Sequence, residues 1–119
     1  MSELLKETLA LAKELSQSDN EANLRASIGR SYYCVFHYCL IDLGITDTRT
    51  WAGGKGGTHQ KVIDEYAYGA NKNVSYMLEA LKKKRHHADY DLTKKINKVD
   101  AEVALKSALK ILDKIGVKV

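Results

Sequence analysis

The residues of this chain best equipped for chemistry lie in one stretch, Arg30-Ser31-Tyr32-Tyr33-Cys34-Val35-Phe36-His37. Its arginine and histidine stand seven positions apart. On an α-helix seven steps of about 100° fall about 20° short of two full turns, so both side chains leave the same face. A guanidinium is permanently charged, and its planar fork holds phosphate oxygens; an imidazole gives or takes a proton near neutral pH. Arg30 and His37 are therefore the candidate catalytic pair for breaking an RNA phosphodiester without a metal or any other cofactor. The plainer reading of the same residues is an ion-paired arginine and a half-buried, hydrogen-bonded histidine.

A second constellation is Arg85-His86-His87-Ala88-Asp89-Tyr90. Arg85 and Asp89 are one helical turn apart and continue the stripe Leu78, Leu81, Arg85, Ala88, Leu92. A charged pair on an apolar stripe is either a salt bridge that sets helix register or part of a polar site. The structural role is favoured, with Arg85 the member that reaches a ligand. His86 and His87 face solvent or the rim of the site. His59 follows Thr58 at a helix start, where it either lines the cleft or ends a helix and nothing more. Between Lys72 and Lys98 eight Lys and Arg oppose three Asp and Glu, within a chain whose overall net charge is +4. That surplus makes Lys83 and Lys84 candidates for tracking a phosphate backbone. Asn23 and Tyr33, close to Arg30 around the helix axis, complete the candidate substrate-binding set of Arg85, His59, Tyr33, Asn23, Lys83 and Lys84. No acid-rich cluster suits a metal ion. Cys34 and Cys39 point about 140° apart on one helix and cannot join, so two reduced thiols are expected. The glycine tract from Gly53 to Gly57 lacks the spacing and the preceding strand of a phosphate-binding loop.

The elements that must position these residues are all helical. The chain of 119 residues has no proline and is rich in Ala, Leu, Lys and Glu, which points to a single all-α domain over 1–119. Apolar spacing predicts a first helix from Glu3 to Ser16, capped by Ser2, with Leu4, Leu5, Leu9, Leu11, Ala12 and Leu15 inward. Ser18 and Glu21 form a capping-box pattern that opens a second helix near residue 19 or 20, unbroken until Gly44. A loop follows from Ile45 to Gly57. Thr58 caps a short helix from His59 to Tyr68, Asn73 a fourth that runs toward Tyr90, and Asp100 a fifth that stops at Gly116. An antiparallel up-and-down bundle of four or five helices is the expected architecture. No apolar run is long enough to span a bilayer, and the N-terminal residues lack the order of a secretory signal, so a cytoplasmic protein is expected.

The second helix carries more than one inward face. With Arg30 at 0°, Leu24, Ile28, Val35, Cys39 and Leu43 fall between about 120° and 220°, the ordinary core side. Asn23, Ser27, Cys34, His37 and Ile41 cluster around Arg30, with Ala22, Ala26, Gly29 and Tyr33 beside them. A surface helix normally places Lys and Glu on such a flank. Small and aromatic residues there imply a second burial, by another helix or by another copy of the chain. A homodimer with two Arg30/His37 pairs at a shared cleft is favoured.

These motifs together resemble the HEPN superfamily, in particular its small stand-alone bacterial and archaeal members. The resemblance rests on Arg30 to His37, then Thr58-His59-Gln60-Lys61, then Leu81 through Arg85 to Tyr90, and spans about Glu21 to Leu92. It implies a dimerising bundle of four or five helices. It also implies metal-independent endoribonuclease activity of a toxin–antitoxin or phage-defence type, in which arginine and histidine are separated by four to six residues. The implied partners are RNA or a nucleotide, an antitoxin, or a nucleotidyltransferase. Catalytic members often carry Asn, Asp or His just after the arginine, where this chain has Ser31, Tyr32 and Tyr33. A non-catalytic nucleotide- or partner-binding module that works with a nucleotidyltransferase is the second reading the resemblance leaves open.

Overall fold

The computed structural model describes residues 3–45, 57–69 and 71–118. Five helices account for about four fifths of the described residues: α1 (Glu3–Leu15), α2 (Glu21–Asp42), α3 (Gly57–Tyr68), α4 (Lys72–Tyr90) and α5 (Lys98–Lys114). They pack as an all-α bundle in which α2 touches each of the other four. The expected Ser2 cap and the tract from Gly53 to Gly56 lie outside the described residues.

Local side-chain chemistry sets the helix starts, and four of the expected caps are displaced. Asn20, not Ser18, caps α2 by accepting from the Asn23 amide at 3.2 Å. Ser18 acts one step earlier, accepting from the Asn20 amide at 3.0 Å. Glu21 does not turn back to the cap because Arg25 takes its carboxylate, at 2.9 Å. Asn71 caps α4 through the Val74 amide, which places Asn73 inside the first turn. Asn97 caps α5, and Asp100 supplies the other half of a reciprocal capping box at 2.9 and 3.0 Å. Each Asn supplies an acceptor to the third residue of its helix, the position where an amide otherwise has no partner. Thr58 likewise stands within the first turn of α3. Gly44 and Gly116 end α2 and α5 with φ of +72° and +83°, a conformation that glycine adopts without a Cβ penalty.

The centre of the bundle is apolar and tight. Leu78 and Leu81 of α4 meet Ile111 and Leu112 of α5 around Ile28, Val35 and Tyr32 of α2, all essentially without solvent contact. Trimming one of these leucines to alanine costs about 2–5 kcal/mol in such a setting. The flank of α2 that called for a second burial receives part of it inside the chain. The Ser27 hydroxyl donates to the Ala12 carbonyl at 2.7 Å, and the Cys34 thiol to the Leu5 carbonyl at 3.5 Å, so α1 covers that side. Leu4 and Leu11 of α1, and Val103 of α5, lie in solvent because they sit at the edges of their stripes. Leu92 is exposed because α4 ends before it. Cys34 and Cys39 are free and buried, and burial pushes their thiols up to about 11 and about 12. Neither is a ready nucleophile.

Arg25 ties α2 to the turn between α4 and α5. Its guanidinium donates to the carbonyls of His87, Ala88 and Asp91 at 3.2, 2.9 and 3.1 Å, and to that of Lys94. Those carbonyls lie at the end of α4 and just beyond it, where helical partners run out. Because Arg25 is largely buried and Glu21 balances its charge, it fixes how α4 lies against α2, and so where Arg85 stands.

Candidate active site

Three helices enclose a cavity of about 240 Å³. From α2 come Gly29, Arg30, Tyr32, Tyr33, Phe36 and His37; from α3 comes His59; from α4 come Arg85 and Asp89. The α2 contribution spans an arc of about 160° around the helix axis, from Tyr32 to Arg30. The cavity thus opens on the Gly29 and Tyr33 flank, not on the Asn23 side of Arg30. A Cβ at Gly29 would meet only Asp89 Oδ1, at 3.4 Å, an ordinary van der Waals contact, so the approach of α4 does not by itself require glycine there.

Aromatic rings hold the cationic and titratable groups in place. The Arg30 guanidinium lies 5.0 Å from the centre of the Tyr33 ring, a cation–π distance. Tyr33 also packs on His37 with ring centres 4.3 Å apart. On the opposite wall Phe36 stacks on His59 at 4.1 Å, and the Tyr32 hydroxyl is hydrogen-bonded to His59 Nδ1 at 2.8 Å. Arg85 Nε meets Asp89 Oδ2 at 2.9 Å, and its guanidinium lies 5.7 Å from the Tyr32 ring and 5.9 Å from the Tyr90 ring. Among the described residues no carboxylate lies against Arg30, so its charge is available to an anion.

The electrostatics favour neutral histidines facing fixed positive charge. Burial lowers the pKa of His37. His59 is lowered first by burial and then by Arg85, Lys82 and His37. Burial raises the Tyr32 hydroxyl well above its usual value, so it stays protonated at any physiological pH. Two histidines near the neutral side of their titration, with two guanidiniums, can move protons around a bound phosphate and balance its charge.

The structure brings together Arg30, His37, His59, Arg85 and Tyr33 of the sequence candidates, and it separates three others. Asn23 is exposed and its side chain donates to Ser18 Oγ at 3.0 Å, which ties it to the helix cap. Lys83 and Lys84 are exposed on other sides of α4, because helical steps of about 100° carry them away from Arg85. Lys82 is the member of the run that reaches α3, donating to Gln60 Oε1 at 3.3 Å. His86 is exposed, and half-buried His87 lies 3.8 Å from Asp91, away from the cavity. Gly29 stands on the small flank the sequence marks beside Arg30, whereas Tyr32 and Phe36 are not among the sequence candidates for the site. Tyr32 lies on the core side of α2 and Phe36 at its edge, but ring length carries both round to the cavity. Among the described residues no group of three His, Cys, Asp or Glu side chains converges as a metal ligand set, and no helix is long and apolar enough to cross a membrane.

The fold and the cavity define a small all-α bundle with an arginine- and histidine-lined pocket. No family model matches the chain, and no curated protein or solved structure matches it either.

Proposed function

We propose that this protein is a metal-independent endoribonuclease of the toxin–antitoxin or phage-defence type, acting through the α2–α3–α4 cavity. The observation that carries the reading is the convergence of Arg30, His37, His59 and Arg85 from three helices on one space. In this mechanism Arg30 neutralises the non-bridging phosphate oxygens as charge builds in the transition state. His37 transfers a proton at the reacting oxygens. A ribose 2′-hydroxyl is the attacking group, so the products carry a 2′,3′-cyclic phosphate and a 5′-hydroxyl, and DNA is not cut. Exposed Lys83, Lys84, Lys94 and Lys95, which lie outside the cavity, hold the RNA backbone at a distance from the cut and set affinity without choosing sequence.

The working form in this reading is a homodimer. Ala22, Ala26, Arg30 and Ile41 form an exposed strip along α2 at helical spacing, and Leu4 and Leu11 of α1 are also exposed. Light scattering at micromolar concentration should give twice the 13.3 kDa chain mass; a monomer overturns the shared-cleft part of the proposal. Ala26→Arg should dissociate the dimer.

The Arg85–Asp89 pair favours a second reading, because a guanidinium already matched by a carboxylate suits a static binding pocket. There the cavity holds a nucleotide, or the chain docks a nucleotidyltransferase, and nothing turns over. Growth separates the two. Expression of a nuclease toxin should arrest cells unless an antitoxin is supplied, and His37→Ala should abolish the arrest. Harmless wild-type protein that binds a nucleotide by calorimetry would establish the binding module.

A further inference from the structure

Phosphodiester cleavage by a 2′-hydroxyl needs two proton transfers, one from the nucleophile and one to the leaving oxygen. A single histidine can serve both only in sequence. Resting on the nuclease reading above, we infer that His59 of α3 is the general base, held in position by Tyr32, and that His37 is the general acid.

The geometry of His59 sets it apart from its neighbour. Phe36 stacks on its ring at 4.1 Å and Tyr32 lies beside it at 5.5 Å, so the imidazole is packed against two adjacent aromatic rings of α2, themselves 6.1 Å apart. Its Nδ1 is bonded to the Tyr32 hydroxyl at 2.8 Å. A buried phenol oxygen accepts a hydrogen bond as well as donating one. With Nδ1–H donating to Tyr32, the lone pair sits on Nε2, the other ring nitrogen of a residue that lines the cavity. That tautomer is the one a base requires. It also survives proton uptake, because the imidazolium keeps the same Nδ1–H bond. The opposite tautomer, with Tyr32 donating, would have to break its bond each time His59 charged. His37 has ring contacts with Tyr33 and Phe36 but no such anchor among the described residues.

The charges around the two histidines divide the roles in the same way. His59 faces Arg85 and Lys82 of α4 and Tyr32 and His37 of α2, and Asp89 is already paired with Arg85. Burial disfavours the imidazolium at both rings, but at His59 the Arg85 and Lys82 cations add to it, so of the two His59 is the one that waits empty and His37 the one that keeps a proton. In the reaction the 2′-hydroxyl proton passes to His59 as the bond from the 2′-oxygen to phosphorus forms. The bond from phosphorus to the 5′-oxygen breaks, and that oxygen takes a proton from His37. One proton is taken up and one released, and solvent resets both rings. Tyr32 touches no reacting atom and is a positioning residue.

The test combines tautomer spectroscopy with a pH–rate profile. Nitrogen-15 correlation spectra of the wild-type protein should show His59 with its proton on Nδ1 at neutral pH. An Nε2–H tautomer overturns the assignment as base. Cleavage of a uniform single-stranded RNA should give a bell-shaped profile, with the acid limb belonging to His59 and the alkaline limb to His37. His59→Gln should lose about a hundredfold or more in kcat and lose the acid limb. Tyr32→Phe should lower kcat several-fold with KM little changed, and should move the acid limb. A purely structural Tyr32 would leave that limb in place, which contradicts the inference. If wild-type and His59→Gln proteins cleave alike, the inference falls while the nuclease reading stands. Wild-type protein that cuts no RNA removes the nuclease reading and the inference with it.

Discussion

Two arginines five positions apart on α2 show how differently one residue type is used in this molecule. Arg25 meets four backbone carbonyls and the Glu21 carboxylate, so every direction of its fork has an acceptor. Arg30 rests on the face of Tyr33, and among the described residues it meets no carboxylate. The first network is closed, and closure is what makes a buried cation useful as a brace between helices. The second is open beside a cavity, and an unmatched guanidinium next to titratable imidazoles is an arrangement kept for a ligand. The contrast teaches that satisfaction, not residue identity, separates scaffold from site.

Substitutions sharpen that contrast, beginning with the largest effect. His37→Ala should reduce RNA cleavage by about a hundredfold or more while the melting curve stays near wild type, since the ring is only partly buried. Arg30→Ala should reduce kcat by a similar order, with Arg30→Lys recovering part of it. Equal cleavage by either variant in single-turnover assays would place the chemistry elsewhere.

Arg25→Ala should do the reverse. Leaving several carbonyls without their donor costs about 1–3 kcal/mol or more, read as a fall of several degrees or more in Tm. Cleavage per folded molecule should survive well below the transition. A variant that lost kcat at full stability would show that the brace itself takes part in the chemistry.

Stability should also respond to pH through the cavity histidines. Their folded pKa values are lowered, so their neutral forms are favoured by folding. The associated stability is present above the unfolded value of about 6.5 and is lost as pH falls through the folded values. Urea midpoints measured between pH 7.5 and 5 should therefore drop, and the His37→Ala, His59→Ala double variant should flatten the drop. An unchanged slope in the double variant would show that other groups carry it.

The smallest effect concerns affinity. Replacing Lys83 and Lys84 together should weaken binding evenly across RNAs and reduce the salt slope by about one to two units. An unaltered salt titration would leave that run as a solvated helix face.

Much of this fold is legible in the sequence because it depends on spacing. The all-α class, the inward stripe of Leu78 and Leu81, and the glycine stops at 44 and 116 all follow from periodicity and backbone freedom. The helix starts were harder. Asn20, Asn71 and Asn97 compete with nearby Ser18, Asn73 and Asp100 for the same role, and only three-dimensional partners such as Arg25 decide between them. Arg30, His37, His59 and Arg85 stood out by chemical type. Tyr33 stood out by its place beside Arg30, whereas Tyr32 and Phe36 did not, for reasons of reach. Tyr32 and Phe36 have angles on the core side or at its edge but long rings, whereas Asn23 has the right angle and a cap to serve instead.

The central claim, that the open arginine and the cavity histidines cleave RNA, is tested most directly by incubating purified wild-type protein with end-labelled RNA in EDTA and analysing the product ends. The account predicts 2′,3′-cyclic phosphate ends with wild-type protein, none above background with His37→Ala, and no cleavage of matched DNA. Intact RNA, cleavage abolished by EDTA, or equal cleavage by His37→Ala would contradict it.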